Sequence, residues 1–155
     1  MNRRRFDSRR NRGGKLPRNA APVELTISHV GGRGDGVGRA PYKHNHITDE
    51  HSVFVPATLA GEQVVATPVA ISGQGIRAVL HEIITPSPER REPDCAAFPA
   101  CGGCSFQHWR DELVTAWKQD LVTGFLARAG VPCPEITAPH VAPRHARRRA
   151  NFHLK

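Results

Sequence analysis

No stretch of this chain approaches the roughly 20 apolar residues of a membrane span, and no apolar run follows the basic start Met1-Asn2-Arg3-Arg4-Arg5. Neither a spanning helix nor a secretory signal is therefore expected. Four cysteines in 155 residues are too few for a secreted disulfide scaffold, and cytosolic thiols stay reduced, so the composition fits a cytoplasmic protein. A dinucleotide loop is missing as well. The glycines at 31, 32, 34, 36 and 38 are followed by a proline and strand-forming residues, where a G-x-G-x-x-G fingerprint needs a helix. Arg33-Gly34-Asp35 is an accidental adhesion tripeptide in such a chain.

What the chain has in excess is positive charge, unevenly placed. Residues 1–19 carry +7, residues 144–155 carry +5, and residues 20–143 between them carry −4. The first pole has almost no apolar residues and reads as a disordered basic arm over 1–21, suited to salt-sensitive attraction for phosphates. In the second pole Arg147, Arg148 and Arg149 stand beside Phe152 and Leu154, which alternate as in a strand. Planar guanidinium forks suit RNA, because they bind phosphates bidentately and stack on bases. A solvated strand edge is the plainer reading of the same residues.

The body divides near residue 86. Over 22–85, short apolar runs alternate with turn signals: Val23–Ser28, Ser52–Val55, Val64–Ile71 and Ile76–Ile84, separated by glycine-rich stretches. About five closely spaced strands predict a small closed barrel. Pro68 inside a run implies an edge or a bulge. His44, His46 and His51 fall in what reads as a polar, solvated loop. Residues 86–94, with three prolines and alternating charge, read as a linker with nothing to bury.

Cys95, Cys101 and Cys104 follow in a C-x5-C-G-G-C string. Three thiols within ten residues can converge on one soft metal centre, zinc or iron–sulfur. Gly102 and Gly103 let the chain curl tightly between ligands and offer N–H groups to sulfurs. A disulfide with spare thiols is the alternative. After the loop, Trp109, Leu113, Trp117, Leu121 and Phe125 recur every four residues and predict one amphipathic helix, packed against the cysteine loop and ended by Gly130 and Pro132. Cys133 reads as an incidental thiol. Were it a ligand, the chain would close a four-cysteine site by itself, and zinc would compete with iron–sulfur.

These features in this order resemble the N-terminal part of the iron–sulfur RNA (uracil-5-)-methyltransferases, the 23S ribosomal RNA type above all. Val53-Phe54-Val55-Pro56 with Leu59-Ala60-Gly61-Glu62-Gln63-Val64 resembles the signature of that family's TRAM domain, an RNA-binding barrel, with Ala60 in place of the usual proline. Cys95, Cys101, Gly102, Gly103, Cys104, Gln107 and His108 match its C-x5-C-G-G-C-x-x-Q-H string, and Arg147-Arg148-Arg149-Ala150 resembles its arginine-rich strand, with Ala146 where many members have tyrosine.

The resemblance implies a mainly β, OB-like five-stranded TRAM barrel over 22–85 and the linker 86–94. An iron–sulfur segment with one amphipathic helix and the start of an α+β central domain would occupy 95–155. It further implies a 4Fe–4S cluster on Cys95, Cys101 and Cys104, with a fourth ligand outside this sequence, and RNA contacts by Arg147, Arg148 and Arg149. In the family, a separate domain binds S-adenosylmethionine and supplies the catalytic cysteine. No residue of this chain is expected to do so, and the chain reads as a truncated methyltransferase that needs a missing domain or partner chain for activity. Ribosomal RNA is the expected partner, transfer RNA the other candidate. A radical methylthiotransferase is disfavoured, since that class spaces its cysteines C-x3-C-x2-C and carries its barrel at the other end. A stand-alone zinc- or cluster-containing RNA-binding module is the main rival.

Overall fold

Alternation of apolar and polar side chains along short runs builds strands whose inner face is buried and whose outer face is wet. Five such strands form in the computed structural model, which describes residues 20–44, 47–72 and 75–142. They are β1 (Val23–Val30), β2 (Gly36–His44), β3 (Ile47–Val55), β4 (Gln63–Ser72) and β5 (Gly75–Thr85). In β1, Leu25 and Ile27 are buried while Glu24, Thr26 and Ser28 face out. The basic arm before residue 20 and the arginine-rich pole with Arg147, Arg148 and Arg149 lie outside the described residues.

The strands close into a barrel in the order β1-β2-β3-β5-β4, with β4 returning to β1. All pairings are antiparallel except β3 with β5, which is parallel through Ser52–Phe54 against Gly75–Arg77. This is the OB-like, five-stranded architecture expected from the sequence. Its interior holds Leu25, Ile27, Ala40, Val53, Val55, Val64, Ala66, Ile76 and Ala78. Each larger aliphatic side chain there contributes about 1.5–3 kcal/mol by leaving water. Pro68 sits where the β4–β5 register shifts between Pro68 and Ala70, beyond the reach of β1, whose pairing with β4 ends at Val23–Ala66. The missing N–H therefore breaks no bond to β1.

Two sequence readings are corrected. The stretch around His44 and His51 is not a loop. Residues 36–44 pair one-to-one with 47–55 as a long β2–β3 hairpin, because each polar residue finds backbone partners across the ladder. The glycines at 36 and 38 belong to β2 and not to the preceding turn. A Cβ at Gly38 would stand 2.6 Å from the Thr26 carbonyl oxygen, so glycine lets β1 and β2 approach closely enough to seal the barrel.

Two compact units partition the chain, Met1–Asp111 and Glu112–Lys155. The second contains nearly all of α1 (Asp111–Arg128). Acidic residues open this helix and Arg128 closes it, the polarity that suits a helix dipole. Gly130, at φ +68°, ends it as expected, with the Val131 N–H donating to the Leu126 carbonyl at 3.0 Å. The apolar stripe is only partly covered: Val114 is buried, whereas Val122 and Phe125 stay about half exposed. Arg128 lies over the Phe125 ring at 4.7 Å, a cation–π contact that suits an exposed aromatic. Trp109 precedes the helix, bridging to Arg90 instead.

Candidate functional site

The cysteine loop is carried by a neck of two short segments, and the neck is bolted to the barrel by one buried carboxylate. Glu62 follows the turn before β4 and is 0% exposed. Its Oε2 accepts the Leu59 N–H at 2.8 Å, and its Oε1 accepts the Ser87 N–H at 3.2 Å. The Arg90 guanidinium grips both oxygens, Nε to Oε1 and Nη2 to Oε2. Nη2 also donates to the Ala57 carbonyl at 2.8 Å. Such a bidentate pair both neutralises the buried charge and fixes orientation. Burial by itself raises the Glu62 carboxyl. The Arg90 guanidinium and the Leu59 and Ser87 N–H groups outweigh that, leaving the carboxyl below its ordinary value. Residues 86–94 thus do bury something: Ser87 is 6% exposed, and the prolines set the path of a strap that Glu62 holds down.

Beyond Arg90 the strap runs beside residues 106–111. The Arg91 N–H donates to the His108 carbonyl at 3.0 Å, the Arg110 N–H to the Glu89 carbonyl at 3.4 Å, and the Trp109 indole N–H to Glu89 Oε2 at 2.9 Å. Arg91 also bridges Asp94 and Asp111 at 2.6 and 3.3 Å. Gln107 closes the neck by accepting the Cys95 N–H on its side-chain oxygen at 3.1 Å. His108 lies beneath the loop, 1% exposed, its ring stacked on Phe98 at 5.4 Å between centroids. The Gln-His pair that ends the cysteine string therefore has structural work to do in this fold.

Cys95, Cys101 and Cys104 share the loop tip, all free and exposed. Turn bonds shape the loop: the Phe98 N–H donates to Cys95 O, Cys101 N–H to Ala97 O, and Gly102 N–H to Pro99 O. Gly102 takes φ +69°, and a Cβ at Gly103 would come to 3.3 Å from the Cys101 sulfur. Three accessible thiols beside a bare backbone fit the donor chemistry of a soft metal. Their placement does not yet gather them. Among the described residues no group of three His, Cys, Asp or Glu stands close enough to hold an ion. Cys133 is exposed in the second unit, its thiol 3.4 Å from the Pro134 carbonyl.

Among the described residues, neither ring nitrogen of His108 has a hydrogen-bond partner. Burial, joined by the nearby Arg90 cation and opposed by Glu62, lowers its pKa to about 4. The imidazole is therefore neutral at physiological pH. Above the loop lies a cavity of about 180 Å³ between the β1–β2 turn, Pro56-Ala57 and the cysteine loop. That turn is pinned by Phe106, whose ring reaches within 2.5 Å of where a Gly34 Cβ would stand, at φ +90°. A larger hollow of about 550 Å³ lies on the barrel wall near Glu24, Thr26, Ser28, Arg39 and Gln63. Sequence reasoning missed Arg90 and His108's burial, and set aside as an accidental tripeptide Arg33 and Asp35, which line the smaller cavity. Glu62 was visible only as part of a signature.

The chain is 39% identical over 130 residues to an uncharacterized RNA methyltransferase of Brucella suis biovar 1 (strain 1330), which covers 83% of this chain and 28% of that protein. This sequence is a relative of the RNA methyltransferases. An uncharacterized RNA methyltransferase of Caulobacter vibrioides is likewise 39% identical, over 85% of this chain and 29% of its own length. The 23S rRNA (uracil(1939)-C(5))-methyltransferase RlmD of Alkalilimnicola ehrlichii is 35% identical over 91% of this chain and 30% of its own length. The chain thus spans under a third of the RNA methyltransferases it matches. No protein-family profile matches it.

Proposed function

We propose that this chain is the RNA-binding and cluster-binding part of an S-adenosylmethionine-dependent ribosomal RNA (uracil-5-)-methyltransferase acting in the cytoplasm. The observation that carries this reading is the similarity to RNA methyltransferases, one of them acting on 23S rRNA, over a chain that pairs an OB-like barrel with a three-cysteine loop. Within that reading residues 22–85 form the TRAM barrel, and residues 95–155 form the iron–sulfur segment and the start of a central domain. OB-like barrels are recurrent single-strand binders. Cys95, Cys101 and Cys104 hold a 4Fe–4S cluster, whose binding draws the three thiols together from their present spread. Metal binding coupled to local ordering is common where the ligands sit on one loop.

The cluster would be a structural clamp between segments, since methyl transfer to a uracil carbon consumes no electrons. Residues of this chain bind and orient RNA. Arg147, Arg148 and Arg149 contact its backbone, and the N-terminal arm adds salt-dependent affinity. The 155 residues alone transfer no methyl group. Anaerobic purification with iron, sulfide and zinc analysis tests the metal assignment, on this chain and on Cys133→Ser. Iron with sulfide, unchanged by Cys133→Ser and lost with Cys101→Ser, is the expected result. Stoichiometric zinc lost with Cys133→Ser would instead establish a self-contained zinc module.

A further inference from the structure

We infer that the cavity between the β1–β2 turn and the cysteine loop receives one unstacked nucleobase of bound RNA, held at its edge between Arg33 and Asp35. The inference rests on the RNA-binding reading above and adds a specificity subsite to it. At about 180 Å³ the cavity has the space of about six liquid waters, the scale of a single base and too small for a nucleoside stack. Its walls include Pro56, Phe98 and Pro99, flat and apolar groups of the kind on which splayed bases of single-stranded RNA rest.

Its rim carries two opposite charges on one turn, Arg33 and Asp35, which also line the cavity. The two do not pair with each other: neither is among the salt bridges of the described residues. Among the described residues Asp35 bonds through its backbone, its carbonyl accepting the Gly31 N–H at 2.8 Å. A guanidinium that only donates, set near a carboxylate that only accepts, matches a ligand edge bearing both an acceptor and a donor. Every nucleobase has such an edge: a ring nitrogen or keto oxygen beside an imino or amino N–H. A phosphate does not. It offers acceptors alone, so Arg33 would attract it and Asp35 would repel it. The pair therefore favours a base over the backbone that carries it. The turn is held in place by Phe106 against Gly34.

The sign of one substitution tests this. Fluorescence anisotropy with labelled oligouridine, oligocytidine and oligoadenosine would be measured on the full chain and on Asp35→Ala, Asp35→Asn and Arg33→Gln. Iron content and circular dichroism would be matched across the variants. A base in the cavity predicts that Asp35→Ala weakens binding of at least one oligomer by roughly fivefold or more, with Asp35→Asn recovering part of the loss. Arg33→Gln, at an exposed site, should weaken the same oligomer. If Asp35→Ala tightens binding, a phosphate occupies the cavity; if it changes nothing, the cavity is empty of RNA. Either result overturns the inference and leaves the RNA-binding reading intact. Failure of the unsubstituted chain to bind any oligomer or a 23S rRNA transcript would bring down both.

Discussion

Removing the Glu62 carboxylate should unlatch the cysteine segment from the barrel. In Glu62→Ala, the Leu59 and Ser87 N–H groups lose their acceptor, and Arg90 loses both charge-assisted bonds. Breaking one side of a buried ion pair costs about 3–5 kcal/mol, and each orphaned N–H adds about 1–3 kcal/mol when buried. These costs overlap. Arg90 keeps its bond to the Ala57 carbonyl, and its side chain is 20% exposed, so water recovers part of its solvation. The lower figure, about 3 kcal/mol, is the expectation. Against a typical domain stability of about 5–15 kcal/mol, that is a large share. Urea unfolding followed by far-ultraviolet circular dichroism would report the barrel together with α1, while tryptophan fluorescence, read in a Trp117→Phe background so that one indole remains, reports Trp109 in the neck. At a slope of about 1.5 kcal/mol/M, the midpoint should fall by about 2 M. The fluorescence transition should separate from the dichroism transition if the neck releases first. A loss below about 1 kcal/mol, the range of exposed pairs, would refute the latch. The double variant Glu62→Leu, Arg90→Met should recover much of the loss, since an apolar pair leaves no charge stranded.

Acid should act through His108. Its folded pKa of about 4 lies below its ordinary 6.5, so the unfolded chain takes up a proton first. Its contribution is fully present above about pH 6.5 and drains away as pH falls towards 4. Between pH 6.5 and 5 the loss should be about 1.6 kcal/mol, and His108→Phe should flatten that limb of the stability curve; an unchanged limb would count against the burial of a neutral imidazole. Gly34→Ala combines an unfavourable φ of +90° with a clash against Phe106. It should cost about 2 kcal/mol, partly restored by Phe106→Ala, as thermal unfolding would show.

The barrel was legible because its inward residues alternate. Leu25 with Ile27 and Val53 with Val55 mark buried faces that period-two patterning identifies directly. The β2 strand was obscured because glycines at 36 and 38 read locally as turn, whereas the close approach of β1 that requires them is a tertiary fact. The strap over 86–94 was hidden for a similar reason. Three prolines and mixed charges suggest solvent, and only the fold brings Arg90 to a carboxylate 28 positions earlier. The cysteine string was legible as chemistry, since three thiols in ten residues need no fold to be noticed. Its neighbours were not, because nothing local says that Gln107 will close the loop or that His108 will lie under Phe98.

The separation of Glu62 from Arg90 also sets an order of events in time. During synthesis the carboxylate emerges 28 residues ahead of its guanidinium, and β5 must come between them to complete the ring of strands. Until then Glu62 has no cation, and burying it ionised is unfavourable. The barrel thus stays unsealed at that turn until the strap arrives. Sealing and placement of the strap become one event, and the thiols of Cys95, Cys101 and Cys104 follow Arg90 in the chain. Under the proposed metal assignment, loading would follow closure of the barrel.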